Sequence, residues 1–143
     1  MDGLERCFHK VPSGVTRTVH ICCGYPNRRD DEDYKKADAA SYHQLARVMD
    51  ELDFDAVSIG DAHCTNDLAL LETSTRKSVV FSVIAVARSR IEPVEEVIQR
   101  SRDALGHIDR ERLIVAPDCG LGMLTRDLAK AKLEVMCAGA AAD

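Results

Sequence analysis

Ser78-Val79-Val80-Phe81-Ser82-Val83-Ile84-Ala85-Val86-Ala87 is a nearly unbroken apolar run. A strand with one wet face alternates apolar and polar residues, whereas a strand buried on both faces does not. The run therefore reads as a strand of a parallel sheet covered by helices. Working outward, the same strand-then-helix pattern repeats on both sides. Upstream, residues 16–23 form an apolar strand, followed by a long polar connection over 24–37 and a helix over 38–52. In that helix Leu45, Val48, Met49 and Leu52 fall at helical spacing. Residues 55–59 form another strand, followed by a loop and a short helix near 66–73. Downstream, Glu92-Pro93 opens a helix with Val94, Val97, Ile98 and Leu105 on one stripe, and proline suits a first turn. Residues 112–117 form the last strand. A helix over 125–137, which Thr125 can cap, trails into 138–143.

Four consecutive βα units make an α/β fold with a parallel sheet. Two architectures fit. One is half of a (β/α)8 TIM-type barrel, which takes eight units and typically ~250 residues. The other is an open parallel α/β sheet. In both, chemistry gathers at the C-terminal ends of the strands. His20, Cys22, Gly60-Asp61, Arg88 and Cys119 all fall at those ends.

The chain of 143 residues is long enough for one domain with a core, read as residues 1–143. Hydrophobic residues at 45% and charged residues at 30% place it in the folded class. With net charge -5, no basic stripe, three Tyr, three Phe and no Trp, nucleic acid is excluded as the expected partner. The opening Met1–Arg6 is not a signal peptide, and no apolar run is long enough for a membrane span. The expectation is a cytoplasmic protein with no membrane partner. Its six cysteines show no secreted disulfide spacing and are expected to stay reduced.

Residues two apart on a strand face the same side. His20 and Cys22 therefore point together, and Cys23 points to the helices as a core residue. Cys119, in Pro117-Asp118-Cys119-Gly120, follows the last strand and offers a third donor. One imidazole and two thiolates suit zinc with a fourth position open, the arrangement of catalytic sites. The plainer alternative is a core histidine with buried strand cysteines. Cys7 and Cys137 read as packing residues or partly exposed thiols. Asp61-Ala62-His63-Cys64 is either a ligand loop or a polar loop capping the next helix. Gly120-Leu121-Gly122, ahead of Thr125, is a tight turn or a weak phosphate loop. Arg28-Arg29-Asp30-Asp31-Glu32-Asp33 is a solvated loop of mixed sign, positioned as a lid.

Three stretches carry a family resemblance. They are Val19-His20-Ile21-Cys22; Asp55-Ala56-Val57-Ser58-Ile59 with Asn66-Asp67-Leu68 and Leu70-Leu71-Glu72; and Arg110-Glu111-Arg112-Leu113-Ile114-Val115-Ala116-Pro117-Asp118-Cys119-Gly120-Leu121. They resemble the C-terminal catalytic barrel of the cobalamin-independent methionine synthase family, over less than half of that barrel. The resemblance implies a zinc-dependent methyltransferase of methionine biosynthesis. Its zinc would be held by His20, Cys22 and Cys119. A small thiol such as homocysteine, bound to zinc as thiolate, would take a methyl group from a methylated folate.

Two departures accompany the resemblance. Gly60 stands where the family places an acidic ligand, with Asp61, His63 or Cys64 as replacements nearby. Ala85-Val86-Ala87-Arg88-Ser89 stands where the synthase places an Asp and a His for proton transfer. The alternative expectation is therefore a truncated, catalytically silent domain that binds metal or a partner. A half barrel also leaves two edge strands and an uncovered interior. A homo-oligomer or a complementing subunit is expected to cover them.

Overall fold

The computed structural model describes residues 2–142, so the chain ends Met1 and Asp143 lie outside the described residues. Its elements are α1 (Asp2–Phe8), β1 (Thr18–Ile21), α2 (Ala40–Glu51), β2 (Ala56–Ile59), α3 (Ala69–Glu72), β3 (Ser78–Ile84), α4 (Val94–Leu105), a 3-10 turn (Arg110–Arg112), β4 (Leu113–Pro117) and α5 (Arg126–Ala140). The four strands are all parallel and lie in the order β1-β2-β3-β4. A doubly wound sheet reverses its strand order at a switch point. This sheet never reverses, so it is the sector of a barrel: four of the eight units of a (β/α)8 fold.

Alternation along each strand sorts the two faces. In register, Val19, Val57 and Val79 form one row, and Ile21, Ile59 and Phe81 the next. Val57, Ile59, Val79 and Phe81 are buried under the helices. The opposite face carries His20, Ser58, Val80 and Ile114 in one row. It is the more open face, with Ile114 50% exposed. The helix layer closes tightly where α5 crosses α4. A Cβ on Gly139 would lie 2.5 Å from Val97 Cγ1, so only glycine permits that approach.

Several local expectations are corrected. α1 was not anticipated. In α2 the buried residues are Tyr42, Ala46, Met49 and Asp50. Leu45 and Val48, expected on the core stripe, are 39% and 37% exposed. The short helix shrinks to α3. Pro93 is the N-cap of α4 rather than its first turn. Thr125 does cap α5, its side chain accepting from Leu128 N–H. β3 ends at Ile84, where its pairing with β4 slips in register.

Beyond β3, residues 85–87 stay buried without a strand partner. Their backbone groups must then be satisfied otherwise. Ala85 N–H donates to Glu92 Oε1, and Ala85 O accepts from Lys132 Nζ. Ala87 N–H donates to His63 Nε2, and Ala87 O accepts from Asp30 N–H. The 28–33 loop is thereby strapped onto the end of β3, and Ser89 holds both oxygens of Asp30.

Candidate metal centre

His20 and Cys119 come from opposite edges of the sheet. Strands spaced by about 4.8 Å put β1 and β4 roughly 14 Å apart in a flat sheet. Yet His20 Nε2 lies 3.2 Å from Cys119 Sγ. One donor atom each from His20, Cys22 and Cys119 lies within 4.8 Å of the other two. The sheet is therefore curled, and the curl closes the group.

Asp118 accounts for the curl. It follows β4, and its Oδ1 accepts from Asp61 N–H and Ala62 N–H, both at 2.9 Å, at the end of β2. Between them Ser82 of β3 donates its hydroxyl to the same oxygen. Asp118 N–H donates to Ile84 O. One buried carboxylate thus ties the ends of β2, β3 and β4 together and presents Cys119 to β1.

The donor set fits a metal ion. Ligands held at about 2.0–2.3 Å from zinc sit within roughly 4 Å of one another, the scale observed here. His20 turns Nε2 toward Cys119 and Nδ1 toward Ser58 Oγ, at 2.9 Å. A ligating histidine commonly donates its other N–H to such an oxygen, which fixes tautomer and ring orientation. Burial, the Cys22 thiol facing it and the Asp118 carboxylate push the Cys119 thiol up to about 11. A coordinated cation reverses that balance, because a metal-bound thiol is deprotonated outright.

The replacement ligands considered for position 60 are committed elsewhere. Asp61 is 1% exposed; it accepts from Arg100 Nε at 2.8 Å and from Asn66 N–H. His63 Nε2 is the acceptor for Ala87 N–H, and burial lowers its pKa despite the nearby Asp118 carboxylate. Burial, helped by Cys23, pushes the Cys64 thiol up to about 12. None of the three joins the donor group among the described residues. Cys23 is buried as expected, and Cys7 and Cys137 are exposed.

Gly60 sits against the site. A Cβ there would lie 2.9 Å from Cys22 Cβ and 3.7 Å from Asp118 Oδ1. A side chain from position 60 thus enters beside Cys22, but only if Cys22 shifts. Gly60→Glu is expected to cost the metal-free protein about 1–3 kcal/mol by overpacking while tightening metal binding about tenfold or more. Melting temperatures with and without metal, beside a metal titration, check both signs. Unchanged affinity would mean that the side chain at 60 does not reach the donors.

A family model described as "Cobalamin-independent synthase, Catalytic domain" matches residues 39–142. The chain belongs to this family. The cobalamin-independent synthase relatives include the methionine synthase of Thermococcus kodakarensis, 34% identical over 101 residues, 70% of this chain and 30% of that protein. The methionine synthase of Pyrococcus furiosus is 30% identical over 134 residues, 93% of this chain and 34% of its own length. A solved B12-independent methionine synthase from Shewanella sp. W3-18-1, in complex with selenomethionine, superposes with TM-score 0.83 at 27% identity. It matches 97% of this chain and 41% of its own. The chain thus spans about a third of the length of these curated relatives. No helix among the described residues is long and apolar enough to cross a membrane.

Sequence reasoning missed Ser58 as the partner of His20, and Asp118 as a structural tie. Ser58 had a usable signal, since it occupies an inward position of the strand next to His20. Asp118 was seen only as part of a motif; its reach to β2 depends on the curl.

Proposed function

We propose that this chain is the metal-bearing half of a cytoplasmic thiol methyltransferase of the methionine synthase type, with His20, Cys22 and Cys119 as zinc ligands. What carries the reading is the meeting of three metal-type donors from the two outer strands, at the C-terminal mouth of the sheet. Zinc, when bound, holds an acceptor thiol as its nucleophilic thiolate. His20 is oriented for ligation by Ser58, and Cys119 is fixed by the Asp118 tie. Gly60 leaves the fourth ligand position to the substrate. A neutral imidazole and two thiolates balance a divalent charge, so an incoming thiolate adds only one negative charge. The acceptor is a small thiol such as homocysteine, and the donor a methylated folate. The family supports these, as does the name of a Herpetosiphon aurantiacus relative, 5-methyltetrahydropteroyltriglutamate–homocysteine methyltransferase, 30% identical over 98 residues. In this reading residues 1–143 correspond to the C-terminal half of the family's catalytic barrel.

A second reading, a catalytically silent metal-binding domain, is favoured by Ala85 and Ala87. These buried residues occupy the stretch where the synthase has proton-transfer groups, and their side chains have no titratable group.

Metal content of protein purified without added zinc or chelator tests both, beside Cys119→Ser. The expected result is about one zinc per chain, lost in the variant. Cobalt substitution should then give sulfur-to-metal charge-transfer absorption that grows when homocysteine is added. No metal in either protein would sink both readings. Metal and thiol binding without methyl transfer, with the rest of the barrel supplied, would leave the silent domain.

A further inference from the structure

Six described cations are buried or half-buried: Arg17, Lys77, Arg88, Arg100, Arg112 and Lys132. Arg17, Arg100, Arg112 and Lys132 pair with carboxylates, and Lys77 donates to Leu52 O. Arg88 alone makes no hydrogen bond or ion pair with a described residue. A guanidinium has five N–H donors in a rigid fork, and withdrawing it from water without a partner is unfavourable.

Arg88 lines a cavity of ≈ 130 Å³ at the C-terminal end of β3, where Arg90, Arg100, Asp61, Glu92 and Glu96 are also in the wall. The charges in that wall are matched one to one, except at Arg88. Asp61 pairs with Arg100, Glu96 with Arg90, and Glu92 with Lys132 from behind the wall. One positive charge is left over. Arg88 also borders a smaller cavity, ≈ 90 Å³, edged by Asp30, Asp31 and Glu32. No carboxylate there pairs with it, and both Asp30 oxygens are held by Ser89.

We propose that the larger cavity is a binding site for a small monocarboxylate, gripped by the Arg88 guanidinium. A planar carboxylate matches the fork with two parallel hydrogen bonds. With Lys132 behind the wall counted, a single negative charge neutralises the group. A phosphate dianion over-neutralises it and meets three fixed carboxylates. The segment that carries Arg88 is held rigid by Ala85 on Glu92 and Lys132 and by Ala87 on His63, so the receptor is preorganised. The cavity lining shares no residue with the His20, Cys22 and Cys119 group. The site stands whether or not that group holds metal.

The test is an NMR titration of the intact chain with sodium acetate, against sodium chloride at equal ionic strength and against inorganic phosphate. The Arg88 Nε–H signal and the Ser82 and Thr65 amides should shift saturably with acetate and not with chloride. Phosphate should bind more weakly. Arg88→Gln should raise the acetate dissociation constant about tenfold or more, and Arg88→Lys should weaken it less by keeping the charge. Equal shifts with chloride, tighter binding of phosphate, or undiminished binding by Arg88→Gln would overturn the assignment.

Discussion

Lys132→Met is expected to remove about 3–5 kcal/mol of folding stability, the cost of stranding one member of a buried ion pair. Lys132 is 0% exposed and Glu92 5%. The ammonium sits 2.9 and 2.8 Å from the two Glu92 oxygens and 3.1 Å from Ala85 O. Methionine fills much the same volume but leaves the Glu92 carboxylate buried without a counter-charge. The loss should reach the turn after β3, because Glu92 also accepts Ala85 N–H and so ends the strand. Urea unfolding of the single variant and of Lys132→Met with Glu92→Leu separates two origins of the loss. The double variant should recover only part of it: the uncompensated charge is gone, but Ala85 N–H and Ala85 O then lack their side-chain partners. A single variant within about 1 kcal/mol of the parent, the range of an exposed pair, would show that the pair contributes little.

Asp118→Ala should produce the other large effect, on stability and on metal together. Removing the carboxylate leaves Asp61 N–H and Ala62 N–H with Ser82 Oγ alone to share, and leaves the Ser82 hydroxyl without its acceptor in a buried region. At about 1–3 kcal/mol for a buried polar group that loses its partner, the expected cost is about 1–3 kcal/mol. The tie between β2 and β4 is cut at the same time, so Cys119 is no longer held toward His20. Metal affinity should fall by about 10–100-fold, as when a group that orients a ligand is lost. Asp118→Asn keeps one acceptor oxygen and should lose less of both. Competition with a chromophoric chelator measures the affinity, and urea unfolding the stability. If stability falls while metal affinity is unchanged, the tie does not position Cys119.

The parallel sheet was legible because its strands are short apolar runs set between amphipathic helices. The choice between barrel and open sheet was not, since both share the βα alternation. Strand order decided it, and order depends on which strands pair at long range. His20, Cys22 and Cys119 were legible as a group because a two-residue spacing fixes a shared face and a motif marked the third. The α2 stripe failed because Leu45 and Val48 are apolar but lie outside the arc on which Tyr42, Ala46, Met49 and Asp50 turn inward. His63 failed as a ligand because its ring is spent on the backbone of Ala87, a need created only when β3 leaves the sheet.

The donors of the candidate centre stand on the first strand and just past the last. Pairing of β2 with β3 closes about 22 residues of chain, whereas β1 with β2 closes about 38 and β3 with β4 about 34, judged from the paired positions. The middle of the sheet is thus entropically the first part able to zip, and its flanks come later. A centre that needs both flanks has no partial form. Uptake of metal during refolding would report the arrival of the slower flank, and the ion would act as a clasp that makes the last step the hardest to reverse.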